Sequence, residues 1–124
     1  MFPNKMQTIQ DFQDFHRWLD EKKGFNTDIP LNMMLLSGEV GEVAQVLKKV
    51  HFMCEPQRNE RQEEVKTWEE ALSMHRERLG DELADCLAYI FKLANYTGVD
   101  LQEAYLAKMR KNVDRTWTYE TEHD

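Results

Sequence analysis

Apolar residues recur at intervals of three and four along almost the whole chain, and that period commits it to helices. Ile9, Phe12, Phe15 and Leu19 trace one face, with Trp18 beside it; Leu36, Val40, Val43, Leu47 and Val50 trace a second, and Leu83, Leu87, Ile90 and Ala94 a third. No strand-type alternation, hairpin dipeptide or low-complexity tract interrupts them, so the expected class is all-α.

Two of these helices carry acids where a solvated face is not the obvious place for them. Glu39 and Glu42 lie in Ser37-Gly38-Glu39-Val40-Gly41-Glu42-Val43, and Glu82 and Asp85 in Asp81-Glu82-Leu83-Ala84-Asp85-Cys86. Members of a pair three residues apart stand about 60° apart around a helix and roughly 4.5 Å along it, so both can reach one point. Each acid precedes a stripe position by one or two residues, at the edge of the core-facing surface. If the two stripes pack together, four acids converge. Ionised carboxylates at that range repel strongly even at an effective dielectric near 20, and a small domain tolerates such a group when a cation sits within it. An all-oxygen donor set favours Mg²⁺, Mn²⁺ or Ca²⁺ over zinc or copper. The competing reading places all four outward as solvated helix surface.

Size and charge narrow the function. A chain of 124 residues supports one domain with a modest core, spanning 1–124, and 41% hydrophobic against 31% charged residues suits amphipathic helices that gain from a partner. A net charge of -7 argues against binding nucleic-acid backbones or an anionic membrane, so a phosphate ligand would need a metal between it and the protein. Cys54 and Cys86 form no CxxC or zinc spacing, and a reducing compartment suits them. Met1 to Asn26 lacks the unbroken apolar stretch of a signal peptide, and the apolar run Met33 to Leu36 is too short to span a bilayer; the sequence reads as cytosolic.

In order along the chain, a first helix is expected from about Met6 to Lys23, stopped by Gly24. Phe25 to Ile29 is a connector, and Pro30 suits the first turn of a second helix running to about Met53. Pro56 marks a break. Val65, Trp68, Leu72, His75 and Leu79 then predict an inserted helical segment over about 61–78, within an insert of about 55–79, with Gly80 either kinking it into the next helix or separating the two. A third core helix follows from Asp81 to Tyr96, ended by Gly98. Asp100-Leu101-Gln102-Glu103 starts a fourth, to about Trp117, and a frayed tail of about 118–124 closes the chain.

The last helix presents Leu101, Tyr105, Lys108, Asn112 and Arg115 as one stripe that turns from apolar to cationic and polar. Lys108, Asn112 and Arg115 could close over an anionic ligand held by a metal; equally, Lys108 and Arg115 could extend from an amphipathic edge into water. Trp18, Phe25 and Trp68 could stack on a base or fill core and interface. None of His16, His51, His75 and His123 lies three or four residues from the acid pairs. Glu120 and His123 form a single ExxH, where a di-iron site needs two. Phosphate-loop, dinucleotide, serine-hydrolase and zinc-protease motifs do not occur.

Taken jointly, Gly38-Glu39-Val40-Gly41-Glu42-Val43-Ala44, Asp81-Glu82-Leu83-Ala84-Asp85, Gly98-Val99-Asp100-Leu101 and Lys108-Met109-Arg110-Lys111-Asn112 resemble the MazG-type all-α nucleoside triphosphate pyrophosphohydrolases, over about 31–115 apart from the stretch between the acid pairs. The resemblance implies a bundle of four core helices with the extra helical insert, assembled as a homodimer or homotetramer. It implies Glu39, Glu42, Glu82 and Asp85 as Mg²⁺ ligands, with Lys108 and Asn112 touching the triphosphate and Arg115 at a basic position frequent there. Cleavage between the α and β phosphates would give a nucleoside monophosphate and pyrophosphate. Gly38 stands where many members have Glu, as in the dCTP pyrophosphatase branch, and Asp81 where Glu commonly precedes the second pair. A non-catalytic helical interaction module and an all-α dUTPase of the same broad superfamily remain as alternatives at this level.

Overall fold

The structure, a computed structural model, describes residues 5–56 and 64–115. The described residues form four helices, α1 (Ile9–Lys23), α2 (Ile29–Met53), α3 (Trp68–Tyr96) and α4 (Leu101–Asp114), and contain no strand. The expected 118–124 tail lies outside the described residues, as does most of the break after Pro56.

Local chemistry sets the boundaries. Thr8 caps α1 through the Asp11 N–H while the Asp11 carboxylate returns a bond to the Thr8 N–H, a reciprocal capping box that starts the helix three residues later than the apolar period suggests. Gly24 ends α1 at a φ of 63°, and Gly98 turns the chain out of α3 at 71°; both are left-handed conformations that a side chain resists. Asp28 caps α2, with Pro30 in its first turn as expected, and Asp100 accepts from the Glu103 N–H to start α4.

One boundary departs from expectation. The segment expected over about 61–78, either kinked into the next helix at Gly80 or separate from it, is in its described part the N-terminal end of α3, which begins at a Thr67–Glu70 capping box and passes through Gly80 unbroken. A helical glycine costs only about 1 kcal/mol relative to alanine, and the packing of α3 along α2 and α1 outweighs it.

α2 and α3 form the main pair, antiparallel, since Lys66 donates to the Met53 carbonyl at one end while Glu39 meets Glu82 and Asp85 further along. The seam on α2 reads Asn32, Leu36, Glu39, Val43, Val46 and Val50, at four, three, four, three and four residues, each buried or half-buried. On α3, Ala71, His75, Glu82, Cys86 and Tyr89 are likewise covered. This corrects the expected core: Val40, Leu47, Leu83, Leu87 and Ile90 face outward, Val40 and Leu83 being more than half exposed, and the buried apolar residues are Val46, Val50, Ala71, Phe91 and Ala94. A stripe shifted by one helical position points about 100° away, so the acids expected at the edge of the core include two, Glu39 and Glu82, that sit within the seam.

α1 lies across the C-terminal half of α3. Phe12 and His16 pack on Phe91 with ring centroids 5.5 and 5.9 Å away. Gln13, only 2% exposed, donates to the Asn95 side chain and the Val99 carbonyl and accepts from the Leu101 N–H, tying α1, α3 and the start of α4 together. α4 packs against α1, where Gln102 accepts from the Gln10 N–H.

Candidate active site

Glu39 of α2 and Glu82 and Asp85 of α3 each place one carboxylate oxygen within 4.8 Å of the others. The two α3 acids owe their proximity to the three-residue spacing, and Glu39 reaches them because it occupies the helix–helix seam. Partial burial raises the Glu39 carboxyl above the usual carboxylate range; the charges of Asp85 and Glu82, a hydrogen bond with Glu82 and the charge of Glu42 push it the same way. Next to them Cys86 is also raised, by burial and by the same three acids.

Glu42 stands apart from this trio. Arg78, one turn before Glu82, lies 3.8 Å from the Glu42 carboxylate and 3.9 Å from that of Glu82, a bridge across the seam that sequence analysis missed. Its signal was present in the i,i+4 spacing of Arg78 and Glu82, hidden because the sequence left open whether the segment ending near 78 continued into the helix of Glu82. A single guanidinium shared by two partners leaves Glu39 and Asp85 without a cation in the described ion pairs. Three converging oxygens with an excess of negative charge fit a hard divalent cation.

The other anticipated residues are placed differently. Lys108 is exposed on α4, whose main contacts are with α1, and the Asn112 side chain lies against the Met109 sulfur at 3.8 Å. Arg115 forms the C-cap of α4, its N–H bonded to the Lys111 carbonyl. Trp18 belongs to α1, tilted on Phe15 with the Lys22 ammonium 4.9 Å over its ring. Phe25 is half-exposed in the α1–α2 connector, beneath the Lys92 ammonium at 4.7 Å. A polar cavity of about 250 Å³ between Gln10, Gln13, Arg17 and Asp100 shares no residue with the acids, and the polar atoms of Gln13 in it are already bonded.

The family model that matches this chain describes the MazG nucleotide pyrophosphohydrolase domain and covers residues 29–118, from the first residue of α2 to beyond α4. The chain belongs to the MazG family. It is therefore a nucleoside triphosphate pyrophosphohydrolase, a hydrolase acting on phosphoric anhydride bonds, and MazG enzymes are generally divalent-metal dependent. Comparisons with curated proteins and with solved structures return no match. The MazG match includes both acid pairs and excludes α1, so the seam belongs to the family domain and α1 is packed onto it. Among the described residues, no helix is long and apolar enough to cross a membrane.

Proposed function

We propose that this MazG protein, as one all-α domain in a homodimer or homotetramer, hydrolyses a deoxynucleoside or non-standard nucleoside triphosphate to monophosphate and pyrophosphate with Mg²⁺, for which Mn²⁺ can substitute. The observation that supports it best is the convergence of the Glu39, Glu82 and Asp85 oxygens within 4.8 Å. When bound there, the cation supplies charge neutralisation on the phosphates and orients water for in-line attack.

The chain's own side chains do the rest. Glu39, Glu82 and Asp85 hold the ion, and Glu42, outside the trio but within the charge field of Glu39, accepts a proton from the attacking water. Lys108, Asn112 and Arg115 contact the triphosphate and offset charge on the leaving pyrophosphate. Since α4 packs mainly on α1, these contacts come from a second copy, whose approach would also cover the apolar residues Val40, Leu83 and Leu87 exposed on α2 and α3. Phe25 and Trp18 are the proposed contacts to the nucleoside.

Product analysis over a panel of ribo- and deoxyribonucleoside triphosphates, dUTP among them, with Mg²⁺ and with chelator, tests the assignment. Metal-dependent appearance of monophosphate and pyrophosphate in equal amounts is expected. Orthophosphate as the product, or turnover that survives chelation, would refute it.

A further inference from the structure

Glu82 and Asp85 open a series on α3 that continues through Tyr89, Lys92 and Tyr96, at three, four, three and four residues, so all five share one flank of the helix. Lys92 is two turns beyond Asp85, about 10 Å along the axis, comparable to the reach from the phosphates of an extended nucleotide to its base. The acid end of the flank suits a cation and the far end does not.

The far end holds a small polar box. Lys92 is only 12% exposed, with its ammonium 3.4 Å from Asp20 Oδ1, 4.7 Å from the Phe25 ring centroid and 5.2 Å from that of Tyr89. The Tyr96 hydroxyl donates to Asp20 Oδ2, while Asp20 Oδ1 is buried and accepts no hydrogen bond. Among the described residues' hydrogen bonds none is donated by Lys92. An ammonium has three N–H donors, and one so nearly enclosed is costly unless those donors meet acceptors in good geometry. The Asp20 carboxylate and two aromatic faces hold the ammonium from the protein side, and the donors they leave over are open to a ligand oxygen entering beside the rings.

We infer that Lys92, steadied by Asp20 and flanked by Phe25 and Tyr89, is a specificity residue that donates to a ring carbonyl of the substrate base. Cytosine, uracil, thymine and guanine carry such an oxygen and adenine does not, so adenine nucleotides are the poor substrates. This rests on the proposed hydrolysis at the acid cluster. The two rings bracket the base edge and exclude water, which makes a missing partner for the ammonium expensive in the complex with adenine.

The test compares kcat and KM for dCTP, dUTP, dGTP and dATP in wild type, Lys92→Met and the double variant Lys92→Met/Asp20→Asn. The double variant removes both charges, so no lone buried carboxylate threatens the fold, and a thermal melt verifies it. Wild type is expected to favour the carbonyl-bearing nucleotides over dATP by about tenfold or more in kcat/KM. Both variants should lose that preference through a higher KM for those nucleotides, with kcat and the dATP parameters little changed. Equal use of dATP by wild type, or a folded double variant that keeps the wild-type ratio, would overturn the role of Lys92 and leave the hydrolase reading standing. Absence of turnover with every nucleotide would instead bring down the hydrolase reading, and this inference with it.

Discussion

Two acids on α3's partners show what a carboxylate does when it is paired and when it is not. Asp20, on α1, is 8% exposed, takes a hydrogen bond from Tyr96 and faces the Lys92 ammonium. Glu39, on α2, is only half-buried, yet it faces two further acids, and burial together with their charge raises its carboxyl. The first arrangement fastens a helix, because removing either partner strands the other in a poor solvent. The second strains the seam it lies in, and a ligand of opposite charge would relieve it. Burial depth therefore separates the two less well than the sign of the neighbours does.

The largest effect expected from this contrast is on catalysis. Glu82→Gln keeps the side-chain volume and removes one of the three oxygens proposed to hold the cation, and should lower the rate of pyrophosphate release by about a hundredfold or more without lowering the melting temperature in chelator. A variant that turns over at the wild-type rate would show that the trio is only surface.

The paired acid should respond in the opposite way. Asp20→Ala leaves the Lys92 ammonium without its counter-charge and the Tyr96 hydroxyl without its acceptor, and should cost about 3 kcal/mol in chemical denaturation. Unchanged stability would mean that water replaces the carboxylate freely and that the two sites do not differ as described.

A smaller effect separates them by pH. In chelator, the raised Glu39 carboxyl lets the folded chain keep a proton that the unfolded chain has already lost. The folded state thus binds more protons, and the Glu39 contribution to stability falls as pH rises through the window above the ordinary carboxylate range. Glu39→Gln should therefore melt higher than wild type near neutrality, with the difference shrinking as the solution is acidified. A constant offset across that window would contradict the repulsion.

The helices and their punctuation were legible because they are written locally. Gly24, Pro30, Gly98 and Asp100 act within a few residues of where they stand, and the acid pairs are visible as i,i+3 spacings. The face of each helix that turns inward was not. Val40 and Leu47 share the period of Val43 and Val50, and only the partner helix decides which line is the seam. Choosing the more apolar line put Glu39 at the edge, whereas α2 packs through Asn32, Glu39 and Val46. Arg78 was missed because Gly80 left open whether its segment joined the helix of Glu82. The Asp20, Lys92 and Tyr96 cluster joins residues more than seventy positions apart, which no local pattern encodes.

The strain at the seam is measured most directly by melting the metal-free protein with and without Mg²⁺, beside Glu39→Gln treated identically. An ion bound only by the folded state must raise the melting temperature, so wild type should gain several degrees at millimolar Mg²⁺ and the variant little. Equal shifts in the two proteins, or none in wild type, would contradict the claim that these three carboxylates share one cation.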